Sequence, residues 1–224
     1  MSAFTIKIIA FIFMLGDHLQ ELFPNVIPIW VRFLGRFSFP VFAYFTAVGM
    51  RKTRCREKYM FRLFFLASAA EIPYDLCFGQ PLDFLNKMNV VWTLLWGAAV
   101  IYVLTLNTHK ILRAVYALCL LTAGCFLGLD YSVYGVLLIA AYYFFPKKYQ
   151  TAAVTVLIFT LKWSGLIYPL GLNTLFWIFS CLGFALPCLY NGEKGKEPKY
   201  MFYFLYLGHI LVLLAVKGLI AVFT

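Results

Sequence analysis

The chain has 224 residues, 63% of them hydrophobic and 12% charged, with a formal net charge of +10. A water-soluble domain is only about 45–50% apolar, so this composition excludes a soluble globule and predicts an integral membrane protein. No polar stretch is long enough for a separate soluble domain, and the sequence reads as one membrane domain over 1–224.

Nine continuous apolar runs sit at roughly 4–23, 32–50, 59–78, 89–106, 111–129, 131–146, 150–165, 171–190 and 200–223. Each ends on turn residues or charge, and most are long enough for a bilayer core of about 30 Å. Continuous rather than alternating hydrophobicity argues against strands. The expected fold is therefore all-α, a polytopic membrane helical bundle of about nine transmembrane helices. The first run is long enough to span and lacks a small-x-small cleavage site, so it reads as a retained helix rather than a signal peptide. The seventh, about Thr151 to Trp163, is short and reads as tilted or partly re-entrant.

The charge follows the loops. With a cytoplasmic N-terminus, the inner segments hold Lys7, Arg51, Lys52, Arg54, Arg56, Lys58, Arg62, Lys110, Arg113, Lys147, Lys148, Lys194, Lys196 and Lys199, fourteen of the nineteen basic residues. Arg32, Arg36, Lys87, Lys162 and Lys217 remain for the outer half. The positive-inside rule then selects N-in and C-out, and nucleic acid is not an expected partner. The cluster Arg51, Lys52 and Arg54 reads either as this orientation signal or as a dock for an anionic cytosolic donor such as coenzyme A, whose phosphates suit Arg and Lys.

Six cysteines show neither C-x-x-C spacing nor partner histidines, so no metal site is expected. No Gly-rich phosphate loop, H-E-x-x-H or G-x-S-x-G occurs, which argues against serine hydrolysis.

The N-in topology brings polar residues of different runs to one depth. Asp17, His18 and Glu21 sit near the outer end of the first run, Arg32 and Arg36 near the outer end of the second, and Glu71 and Asp75 near that of the third. Asp17/Glu21, Arg32/Arg36 and Glu71/Asp75 are each spaced i, i+4, which places both charges on one helical face. Asn89, Trp92 and Thr93 open the fourth run, Asp130, Tyr131 and Tyr134 lie between the fifth and sixth, and Lys162 approaches the outer end of the seventh. A lone charge at the bilayer centre costs about 2.5–3.5 kcal/mol on insertion scales, so the arginines are expected to pair with the acids. The result is either a salt-bridge network or a polar cavity. His209 lies nearer the midplane, and with His18 it offers a side chain whose ordinary pKa suits proton transfer near neutrality. Pro40 and Pro73 are expected to interrupt helices beside these charges.

These segments carry a family resemblance. Leu15-Gly16-Asp17-His18, Arg32 through Ala43, Glu71-Ile72-Pro73-Tyr74-Asp75-Leu76, Asn89-Val90-Val91-Trp92-Thr93-Leu94, Asp130 through Gly135, and Tyr203 through His209 together resemble the TraX family of membrane proteins. That family is associated with N-terminal acetylation of conjugative pilin. The resemblance implies a membrane acyltransferase that moves an acetyl group from cytosolic acetyl-CoA to an amine or hydroxyl on an extracytoplasmic or membrane-associated acceptor. A pilin, another peptide, a lipid or a glycan would each serve as that acceptor.

The expected catalytic set is His18, Asp17, His209, Arg36 and Asp75, with Arg32, Glu71, Asn89, Thr93, Asp130 and Tyr134 contacting substrate and Arg51, Lys52 and Arg54 holding the donor. His18 would be the base, oriented by Asp17 or Asp75, and Arg36 would neutralise the developing negative charge. Because His209 lies deeper than the acids, one such site would extend roughly 10 Å along the membrane normal. A proton- or ion-coupled transporter is the rival from another class, since paired acids and arginines suit it equally. A non-catalytic assembly scaffold is a third reading.

Overall fold

The computed structural model describes residues 1–82, 86–163, 172–196, 198 and 200–223, without the side chains of 221–223. Lys199 and the run ends at 165 and 171 lie outside the described residues. Eleven helices follow in order: α1 Ala3–Leu22, α2 Trp30–Gly35, α3 Ser38–Lys52, α4 Arg56–Phe78, α5 Val90–Leu104, α6 Lys110–Phe126, α7 Ser132–Phe144, α8 Lys148–Trp163, α9 Leu172–Leu182, α10 Ala185–Cys188 and α11 Met201–Phe223. Each of the nine apolar runs is helical, but two are divided.

The second run breaks at Arg36-Phe37, where the amides of both residues bond three residues back, to the Phe33 and Leu34 carbonyls. Pro40 explains the place. A continuous helix would set the Pro40 nitrogen, which has no hydrogen, against the Arg36 carbonyl. Starting α3 at Ser38 puts Pro40 in a first turn, where no amide hydrogen is needed. The eighth run breaks at Gly183, whose missing side chain leaves room for the Pro40 ring. Pro73, by contrast, does not interrupt α4, which runs through it from Arg56 to Phe78.

Among the described residues three helical stretches are long and apolar enough to cross a membrane, Ala3–Leu22, Trp30–Lys52 (α2 and α3 together) and Met201–Ile220. The expected nine crossings therefore reduce to three that meet length and composition. Helices of 11–17 residues such as α5, α6 and α9 rise only about 1.5 Å per residue, less than the roughly 30 Å of a bilayer core.

The chain forms two compact units. The first comprises Met1–Val48 and Leu137–Glu197, the second Gly49–Val136 and Pro198–Thr224. In the first, the opening amides of α1, which have no partner inside the helix, are satisfied by a later loop. Ala3 N donates to the Glu193 carbonyl at 2.9 Å and Phe4 N to the Lys194 carbonyl at 3.1 Å. Gly195, at φ +73°, passes so close to Ser2 that a Cβ would fall 2.6 Å from the Ser2 hydroxyl. The start of α1 and the loop 193–195 thus share one end of this unit. Its interior is tied by Ser38 donating to the Ala10 carbonyl at 2.8 Å and by the Tyr142–Thr155 hydroxyl pair at 2.6 Å.

In the second unit α4 packs against α5 and α11, and α5 against α6. Arg56 joins helix ends, donating to the Thr105 hydroxyl at 2.6 Å and the Met50 carbonyl at 3.1 Å. Lys217 closes the other end of α4, donating to the Leu76 and Cys77 carbonyls at 3.2 and 2.7 Å. Between α4 and α5 the chain lies on the α6–α7 connection, where Met88 N donates to the Gly128 carbonyl at 2.7 Å. A side chain on Gly128 would overlap the Asn86 backbone, so only glycine fits there.

Candidate functional site

Each unit gathers part of the expected constellation. In the first, Gly16 and Gly35 let α1 and α2 approach closely: a Cβ on Gly16 would lie 2.9 Å from Val31, and one on Gly35 2.5 Å from the Asp17 Cβ. Across that approach Arg36 Nη2 donates to both carboxylate oxygens of Asp17, at 2.8 and 2.9 Å. Arg32 Nε lies 3.7 Å from Asp17 Oδ1, and Arg32 Nη2 lies 3.4 Å from Glu21 Oε2. Two of the three i, i+4 pairs read from the sequence, Asp17/Glu21 and Arg32/Arg36, therefore face one another with opposite sign, whereas Glu71/Asp75 belongs to the second unit. The Arg36 and Asp17 side chains keep only 19% and 16% of their exposure, so water screens them less than it would a surface pair.

An aromatic floor completes this cluster. The Arg36 guanidinium carbon stands 5.4 Å from the centre of the Phe176 ring, a cation–π distance. Phe176 is stacked on Trp163 at 6.3 Å and met edge-on by Phe33 at 4.9 Å. Phe176 and Trp163 carried no signal in the sequence, because one more aromatic in an apolar run is indistinguishable from lipid-facing bulk. His18 follows Asp17 on α1 and is half-buried.

In the second unit Glu71 on α4 is 7% exposed and is held by neutral donors. Its Oε2 accepts from the Asn89 backbone N at 3.2 Å, the Trp92 indole at 3.0 Å, and Asn89 Nδ2. Asn89 also caps α5, its side-chain oxygen accepting from Val91 N at 3.0 Å, while Nδ2 donates to the Ala67 carbonyl at 2.8 Å. One fully buried asparagine therefore starts α5 and fastens it to α4. Thr93 is buried one turn beyond Asn89, and Asp75 is buried one turn beyond Glu71. Asp130 and Tyr134, both half-buried, stand in the turn before α7 and in its first turn.

His209 is 7% exposed on α11, its Nδ1 3.1 Å from the Leu205 carbonyl and its ring edge-on to Tyr206 at 5.3 Å. A carbonyl only accepts, so Nδ1 carries a proton in this contact, and Nε2 is the basic nitrogen whenever the ring is neutral. Tyr206, quoted in the sequence only as part of a motif, is buried within reach of the Glu71 and Asp130 charges.

Arg51 is half-buried at the end of α3, while Lys52 and Arg54 are exposed. Beyond them Glu57, Lys58, Phe61 and Arg62 line an open pocket of about 430 Å³. Glu57 stays ionised there. Its carboxyl is held below the usual glutamate range first by its own backbone N–H, then by the Tyr102 hydroxyl and the Cys55 thiol. Among the described residues no group of His, Cys, Asp and Glu is arranged to hold a metal ion.

Residues 2–217 match the family described as TraX protein. The chain is 31% identical over a 245-residue alignment to the probable fimbrial assembly protein FimC, serogroup H1, of Dichelobacter nodosus, with 96% of each chain covered. No solved structure matches it. With nearly its whole length matched, and with the motif residues Asp17, Arg32, Arg36, Glu71 and Asn89 joined in two clusters, the chain belongs to the TraX family.

Proposed function

We propose that this protein is a membrane acyltransferase acting in pilus or fimbrial assembly, taking an acetyl group from cytosolic acetyl-CoA to an amine or hydroxyl of a pilin-like or other membrane-associated acceptor. The observation that carries the reading is the Asp17–Arg36 pair, with His18 the next residue after Asp17 in the chain. A cation fixed by a carboxylate and set over an aromatic ring is preorganised for a developing oxyanion, the arrangement that contributes most to acyl transfer.

In this reading the acceptor nitrogen or oxygen attacks the thioester carbonyl carbon. His18 takes the acceptor's proton, Arg36 stabilises the oxyanion, and the intermediate collapses with cleavage of the C–S bond. The proton passes from His18 to the departing thiolate, leaving acetylated acceptor and free coenzyme A. Asp17 holds Arg36, both its oxygens accepting from Nη2. Arg32 steadies the same carboxylate and Glu21. Lys52 and Arg54, exposed in the second unit, suit anionic groups such as phosphates, and acetyl-CoA is a substrate in this reading. His209, with Nε2 as its basic nitrogen, is the second base to test.

Orientation follows from the same reading. The start of α1 shares one end of the first unit with the loop 193–195, so Lys194 and the N-terminus are assigned to the cytoplasmic side with the other loop lysines. The pilus connection rests on family membership and on the relative's name, fimbrial assembly protein.

Transfer of label from acetyl-CoA in reconstituted vesicles, with a peptide amine as acceptor, is the direct experiment. His18→Ala and Arg36→Gln are each expected to lower turnover by about 10²–10³-fold. Full activity in both would remove the proposed base and oxyanion partner. Reporter fusions beside Cys55 and Gly195 are expected to report cytoplasm, and an external signal from either would reverse the orientation. One observation favours a rival: Glu71 is a buried acid without a cationic side chain on it among the described residues, as ion-coupled transporters use. Proton-coupled flux in liposomes lacking any acyl donor would select that rival.

A further inference from the structure

Glu71 poses a problem of charge that its neighbours do not solve. Oε2 accepts three hydrogen bonds, all from neutral groups of α5, while Oε1 is buried and has no partner. No Lys, Arg or His among the described residues pairs with the carboxylate. The nearby cations are engaged elsewhere: Lys217 on the Leu76 and Cys77 carbonyls, Lys87 over the Tyr74 and Phe78 rings. Asp75, one turn away, adds further negative charge.

Two more oxygens share this situation. The Thr93 hydroxyl is fully buried without a hydrogen bond, on the α5 face that carries Asn89. The Tyr206 hydroxyl, on α11, is buried without a hydrogen bond of normal geometry, near the Val90 backbone and within the field of Glu71 and Asp130. Buried polar atoms left bare are rare and costly, and here three of them come from three helices of one packed unit. All three are oxygens able to accept.

We propose that Glu71 Oε1, the Thr93 hydroxyl and the Tyr206 hydroxyl form a binding site for a compact monovalent cation, either an alkali ion or a primary ammonium group. Hard cations take oxygen ligands, and an ammonium presents three N–H donors, one for each bare oxygen. The oxygens in contact would be one carboxylate and two hydroxyls, a set that suits a singly charged ion, and no cluster suited to a metal of higher charge occurs among the described residues. The proposal stands whether the protein transfers acyl groups or moves ions.

The test uses the purified full chain in detergent, with unfolding followed by temperature at constant pH and ionic strength. Sodium, potassium or ethylammonium chloride replaces N-methylglucamine chloride, which is too bulky for the site. At tenfold over its dissociation constant, a cation that fits raises the unfolding temperature by about 3–6 °C. Glu71→Gln abolishes the rise, and Thr93→Val, which keeps the carboxylate, moves the half-effective concentration up at least about fivefold. A response to sodium or potassium identifies an alkali-ion site, and one confined to ethylammonium identifies an amine site. No rise with any of the three, or a rise unchanged in Thr93→Val, overturns the proposal. Should Glu71→Gln fail to fold, Thr93→Val alone decides.

Discussion

Asp17 in the first unit meets two arginines, whereas Glu71 in the second meets an asparagine, an indole and a backbone amide. Asp17 keeps some contact with its surroundings, at 16% side-chain exposure, while Glu71 is almost wholly buried. The first arrangement neutralises charge by charge and leaves a guanidinium poised over an aromatic ring. The second solvates a carboxylate with dipoles on one oxygen only. Opposite charges that stay partly exposed make a site that a reactant can reach and polarise. Neutral donors around a buried acid make one that still lacks a positive charge.

Variants can break that comparison. The largest effect is expected from Asn89→Ala, which removes the α5 cap, the tie to the Ala67 carbonyl and one donor to Glu71. A loss of about 2–4 kcal/mol in denaturant unfolding is expected. Asp17→Asn should cost about 1–3 kcal/mol, below the roughly 3–5 of a fully buried pair because this one is only partly buried. Adding Arg36→Gln to it should cost less than the sum of the two single variants, by about 0.5–3 kcal/mol. If Asp17→Asn proves more damaging than Asn89→Ala, the ranking of the clusters is wrong. Gly35→Ala sets a methyl 2.5 Å from the Asp17 Cβ and should cost about 1–2 kcal/mol by overpacking. The smallest change is Lys217→Met, which frees two carbonyls at the end of α4 and should lower stability by about 0.5–1 kcal/mol.

Relative to these outcomes, much of the first cluster was legible in the chain. Paired i, i+4 charges on adjacent apolar runs leave few ways to neutralise one another, and Asp17, Arg32 and Arg36 are joined as that pattern requires. The break in the second run was also legible, since Pro40 cannot supply the amide that a continuous helix needs. Pro73 misled: the same argument applies to it, yet α4 continues unbroken. One lost hydrogen bond is tolerated where the helix is packed along its length, as α4 is by α5 and α11.

Composition and periodicity by themselves determined that the chain is helical and built for a membrane, because apolar length and loop charge are local properties of the sequence. The family was legible for the same reason, in motifs a few residues long. Only the tertiary structure decided that Glu71 is held by Asn89 and Trp92 rather than by an arginine, and that Phe176 lies beneath Arg36. It also decided that two of the runs divide and that, among the described residues, three stretches have the length and apolarity to span. These depend on which helix faces which, and such contacts join residues far apart in the chain that no local pattern couples.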